Sequence, residues 1–275
     1  MRVLPTLSRF ALGSALLVLA ACSAPRIDLA DWRSRTSHER PMAARPSLEA
    51  DLATVERLRE ADELVRAREL ALALAAEHPD DPTVLSAASR AESDGVFLRP
   101  EADTDARNHA AASALDYAER AASLGAHGPA ARAQLGWALG TTTHLQSMSA
   151  RSAHARRTRA VALAVIDEEP VNATALATLA IVNLRLSTLP WMARLFASDL
   201  PEASLADAES FARRAVEARP SRENRLVLAK VLLALEREAD ARSVLEAALA
   251  TPPRFPRDRA VEASVRAHLA PLAGR

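Results

Sequence analysis

Near its C-terminal end the chain reads Leu226-Val-Leu-Ala-Lys-Val-Leu-Leu-Ala-Leu235, then a short polar turn, then Ala241-Arg-Ser-Val-Leu-Glu-Ala-Ala248, and then Thr251-Pro-Pro253. Apolar residues recur at three- and four-residue steps, the period of a helix rather than of a strand. Leu228-Ala229 and Leu232 mark one helix, and Ala241, Leu245 and Ala248 mark a second. Small residues let two helices cross closely while larger ones fill the groove beside them. Pro253 stops the second helix, because proline lacks the N–H that a helix interior needs and its ring crowds the preceding turn. The stretch therefore predicts a helical hairpin. Working outward, Ala114, Ala118 and Ala121 precede Leu135-Gly136, Leu179-Ala180 follows Pro170, and Ala208 and Ala215 precede Pro220.

These spacings resemble the tetratricopeptide repeat. Breakers at 78–82, 125–129, Glu169-Pro170, Arg219-Pro220 and 251–253 fall about 30 to 50 residues apart, the interval of stacked helical hairpins. They divide the chain into eleven expected helices, over about 48–59, 61–77, 82–93, 103–124, 129–143, 150–168, 172–187, 202–218, 222–236, 238–250 and 256–272. The expected fold is all-α: an α-solenoid of about five tetratricopeptide-like hairpins with a C-terminal capping helix. A single hairpin is too small to bury its own apolar face, so the stack is cooperative and presents a concave surface. Arg257, Asp258, Arg259, Glu262 and Arg266 give the last helix the look of a polar cap. Composition agrees. Hydrophobic types make up 49% of 275 residues, aromatics 3%, glycines number seven, and roughly 60 residues are alanine, which favours helices. That balance excludes collagen, a disordered tail and an all-β sandwich. Thirty-five basic and thirty-five acidic residues cancel, so no global field draws in nucleic acid.

The N-terminal 21 residues have the profile of a signal peptide. Arg2 and Arg9 precede an apolar stretch from Phe10 to Ala21 that is shorter than the ~20 residues of a comfortable bilayer span. Leu19-Ala20-Ala21-Cys22 resembles a bacterial lipobox, which implies cleavage before Cys22 and a lipid on its thiol. An ordinary signal peptide or a membrane anchor is the alternative. Cys22 is the only cysteine, so no internal disulfide is available. Ser23 rather than aspartate after the cysteine resembles the outer-membrane sorting pattern, which implies a periplasm-facing lipoprotein. Residues 22–46, with Pro25, Pro41 and Pro46 and no apolar stripe, read as a flexible tether, and 47–275 as the repeat domain.

A longer resemblance covers most of the remainder. Leu186-Ser-Thr-Leu-Pro-Trp-Met-Ala-Arg-Leu-Phe-Ala-Ser-Asp-Leu-Pro-Glu-Ala-Ser-Leu205 is followed by Ala208, Phe211, Arg214-Ala215, Pro220, Pro252-Pro253 and Arg257-Asp258. This run is similar to the family of regulators of microtubule dynamics, whose bacterial members are tetratricopeptide-like. One departure is Ala180-Ile181, where relatives carry Gly-x-Trp. A microtubule role is not expected of a secreted bacterial lipoprotein. At the level of fold and anchor the chain is also similar to the lipoprotein T-component of TRAP-type transport systems for organic acids.

Catalytic patterns are missing. Seven histidines include no i, i+4 zinc pair with a glutamate, and there is no cysteine cluster, Gly-x-Gly-x-x-Gly, phosphate loop or Gly-x-Ser-x-Gly elbow. The expectation is a protein without cofactor, metal or catalytic residue. Two surfaces are candidates for partners. One is the basic run Arg151, His154, Arg156, Arg157 and Arg159, suited to an acidic partner because guanidinium grips paired oxygens. The other is the insertion 187–201, with Trp191, Arg194 and Phe196, longer than most helix connections. The expected function is a non-enzymatic outer-membrane scaffold for protein partners, with homo-oligomers left open. The alternative is a transport accessory with a ligand or partner pocket near 187–201.

Overall fold

The computed structural model describes residues 46–100, 102–190 and 200–272. Among these are eleven α-helices and no strand: α1 (Pro46–Glu60), α2 (Leu64–Glu77), α3 (Pro82–Phe97), α4 (Thr104–Ser123), α5 (Pro129–Thr142), α6 (Met148–Glu168), α7 (Ala173–Ser187), α8 (Leu205–Ala218), α9 (Arg222–Ala234), α10 (Glu238–Ala250) and α11 (Glu262–Leu269). The all-α hairpin stack expected from the sequence is the fold observed.

Local chemistry sets the helix ends. Pro82 and Pro129 occupy first turns, where a missing N–H costs nothing. Asp81, Asp103, Asn172, Ser204 and Ser221 accept hydrogen bonds from the first free backbone N–H groups of α3, α4, α7, α8 and α9. Three helices end on a residue of positive φ, Asp62 after α1, Gly125 after α4 and Glu236 after α9. In each, the next amide reaches back to close the same turn: Glu63 N–H to the Leu58 carbonyl at 2.8 Å, Ala126 to Ala121 at 2.9 Å, and Arg237 to Leu232 at 2.9 Å.

Odd-numbered helices α1, α3, α5, α7, α9 and α11 pack in that order as an inner layer, and each even-numbered helix bridges its two chain neighbours from outside. Burial follows the layering. Helices α3, α5, α7 and α9 are buried around most of their circumference, whereas α8 buries only Ala208, Ala212 and Ala215, and α10 only Ala241, Leu245 and Ala248. A helix apolar on one stripe belongs on the outside and one apolar all round belongs in the middle. Gly136 brings α5 against Val161 and Ala162 of α6.

The last part of the chain departs from expectation. The spacing predicts a polar cap over 256–272, yet α11 begins only at Glu262. Arg257 has φ of 73°, which no helix interior accommodates. Asp258 then fixes the turn: its carboxylate accepts from the backbone N–H of Arg254 (3.0 Å), of Phe255 (3.1 Å) and, across the hairpin, of Arg222 (2.8 Å). Arg257 and Asp258 are buried at 7% and 2% exposure, so they belong to the interior and not to a solvated cap.

The inner layer is closed rather than open. The Asp62 carboxylate, in the α1–α2 turn, accepts from the backbone N–H of Arg257 at 3.0 Å and of Arg259 at 3.1 Å, joining positions 195 and 197 residues apart. The Arg257 side chain passes inward, 2.9 Å from Glu223 on α9 and 3.3 Å from Asp94 on α3. Its guanidinium lies 5.2 Å from the Phe97 ring centre and 5.0 Å from that of Trp137, within reach of cation–π attraction. Arg59 on α1 completes the set, 2.6 Å from Asp94. First and last hairpins therefore meet, and the space that a concave face would offer a partner is filled here by an ion network. Among the described residues, no helix is long and apolar enough to cross a membrane.

Candidate functional site

Helices α5, α6 and α7 surround a cavity of about 350 Å³. Its walls are mostly apolar, with Trp137 from α5, Ala155 from α6, and Ile181, Val182 and Leu186 from α7. Leu189 and Leu200, near the two ends of the α7–α8 connection, line it as well. Two guanidinium groups and one imidazole complete it: Arg151, Arg185 and His144. Among the described residues that line the cavity there is no carboxylate.

The two arginines are held by carbonyls, not by counter-charges. Arg151 donates from Nε to the Gln146 carbonyl (3.1 Å) and from Nη2 to the His144 carbonyl (3.0 Å), bracing the turn between α5 and α6. Arg185 donates from Nη1 to the Gly140 carbonyl at 3.3 Å. Neither has an ion pair among the described residues. Packing around Arg185 disfavours its charged form and lowers its pKa from the ordinary value. His144 Nε2 meets the Asn108 amide oxygen at 2.8 Å, so that nitrogen carries the proton.

The basic run on α6 does not form one patch. Successive helical residues turn by about 100°, and the structure sends the five side chains to different surroundings. Arg157 pairs with Glu119 of α4 at 2.5 Å. His154 turns inward, donating from Nε2 to the Leu139 carbonyl at 2.8 Å. Burial, with the nearby Arg157 charge, lowers its pKa from the ordinary value. Arg159 is half-buried and Arg156 exposed. Only Arg151 faces the cavity. Cys22, Trp191, Arg194 and Phe196 lie outside the described residues.

The ion network inside the inner layer is the other concentration of charge. Glu223 is buried, and burial raises its carboxyl above the ordinary range while Arg257 and Arg219 pull the other way. Its Oε1 has no hydrogen-bond partner. With Arg257, Arg59 and Asp94 locked to one another and to the closing turn, the arrangement is a structural clasp. No group of three or more side chains suited to a metal ion occurs among the described residues.

Sequence reading misses both Arg185 and the clasp. Arg185 carries a signal, as the one charged residue in the apolar run Leu176–Leu186. Arg257 carries none locally, because its partners Asp62, Asp94 and Glu223 come from three distant hairpins.

The arrangement of layers and hairpins is matched by known proteins. The family described as Regulator of microtubule dynamics protein 1-3 matches residues 51–273. The chain belongs to that family. Among solved structures, a thermophilic TPR protein of Thermus thermophilus is similar in fold, with a TM-score of 0.56 at 15% identity, over 82% of this chain and 99% of that one. No curated protein matches the chain in sequence. The family match agrees with the first of the two resemblances read from the sequence; no finding favours the second, to the transport component.

Proposed function

We propose that this protein is a non-catalytic scaffold that binds protein partners on its helical-repeat surface, held at the periplasm-facing outer membrane by a lipid on Cys22. The observation that carries the reading is the closed two-layer array. Its interior charges hold the array to itself, through the Arg257 clasp and the Asp62 bonds. What remains for recognition is a fixed outer surface, and a surface that is already ordered loses little entropy when a partner docks. The anchor rests on Leu19-Ala-Ala-Cys22 and on the single cysteine. Several acyl chains hold a protein to a bilayer where one alone does not.

Crosslinking of the full lipidated chain in intact cells tests the scaffold, with mass analysis of its N-terminus testing the anchor. The expected result is a recurrent envelope protein captured by the chain and acyl mass on Cys22. Removal of the thiol by Cys22→Ser should release the chain from the membrane fraction. Crosslinking that recovers no protein from any envelope fraction would overturn the scaffold. An unmodified N-terminal cysteine would overturn the anchor.

A further inference from the structure

We propose that the α5–α6–α7 cavity is a binding site for an alkyl carboxylate, its chain against the apolar wall and its head group on Arg185 and Arg151. The first argument is chemical asymmetry. Trp137, Ile181, Val182 and Leu186 offer apolar surface, while among the described residues the charged side chains facing the same space are all cations. Ligand sites are typically concave, mostly apolar and carry a few placed polar groups, with volumes of roughly 300–1,000 Å³; about 350 Å³ lies at the small end of that range.

The second argument is unspent charge. Elsewhere in the described structure arginines meet carboxylates repeatedly, as Arg68 meets Glu92, Arg90 meets Glu56, and Arg237 meets Glu209. Arg185 and Arg151 instead bond only to backbone carbonyls, which orient the guanidinium groups without neutralising them. A guanidinium that faces no carboxylate gains from an anion that arrives with the ligand. A bare anion would leave the apolar wall wet, and a neutral alkane would leave the cations unpaired. A single molecule carrying both parts satisfies both walls. Ser152, also on the lining, adds a hydroxyl group.

Calorimetric titration of the purified full chain with dodecanoate tests this, against dodecyltrimethylammonium and acetate as probes of charge and chain. The expected result is saturable binding of one dodecanoate per chain and none of the other two. Arg185→Gln should weaken dodecanoate at least about ten-fold, the loss expected of one charge-assisted contact, and leave the melting temperature near that of the parent. Equal binding of the dodecyl cation, or undiminished binding by Arg185→Gln, would overturn the proposal, since the cavity would then select for chain alone. Absence of binding to the parent chain would also overturn it.

Discussion

Arg257 shows how much a single residue holds in this fold. It is 7% exposed, pairs with Glu223, lies beside Asp94 and stacks near two aromatic rings. Exchange for methionine keeps most of its volume and removes its charge. Arg59 still covers Asp94, but Glu223 is left buried without its ion-pair partner, with only the Arg219 charge to offset its own. The expected cost is about 3 kcal/mol in urea unfolding, at the lower end of what breaking a buried pair costs. The double variant Arg257→Met with Glu223→Gln should recover part of that loss; strictly additive losses would show that the two residues are not coupled. His154 gives a second prediction. Burial lowers its pKa from 6.5 in the folded chain, so the unfolded chain takes up the proton first as the pH falls. Its contribution is complete above about pH 6.5 and declines as the pH drops toward the folded value. Urea melts of His154→Asn should therefore lose less stability than the parent between about pH 6.5 and pH 5, and a parallel decline would sink the assignment.

At the scale of the helix, what the sequence makes legible is periodic and local. Ala208 and Ala215, Ala241, Leu245 and Ala248, and Leu179-Ala180 read as crossing points and are all fully buried. Proline and capping residues place most ends within a few residues, because each acts within one turn of itself. The exception is 256–272, where the pattern of residues looks helical and the turn is set from outside, by Asp62 and Arg222. The end of α9 allows a direct test of the local logic. Glu236 sits at positive φ, 60°, and is exposed. Glycine adopts that conformation without the crowding a side chain suffers. Glu236→Gly should therefore raise stability by about 0.5–1 kcal/mol in chemical denaturation. A loss of stability would mean that the side chain does something beyond closing the hairpin.

For the whole molecule, the layered stack is legible in the sequence and its closure is not. Stacking follows from each hairpin's exposed stripe, which any window of sequence shows. Closure depends on how far the array curves before its ends meet, and that is a sum over five hairpins with no signature in any one of them. The same reasoning explains the cavity: α5, α6 and α7 each look like ordinary repeat helices, and only their spacing leaves a void between them. It also moves the functional surface. A helical array with an empty concave face invites a partner inside, whereas this one has Arg257, Glu223, Asp94 and Arg59 there, which is why the proposed recognition is assigned to the outer layer and the cavity. Native-state hydrogen exchange at the amides of Arg257 and Arg259, in the parent and in Asp62→Gly, tests the closure directly. Glycine keeps the positive φ that ends α1 and removes only the carboxylate. The closed array predicts strong protection of both amides in the parent, and its loss in Asp62→Gly while the amides of α1 stay protected. Exchange of the Arg257 and Arg259 amides in the parent at the rate of an open loop would contradict it.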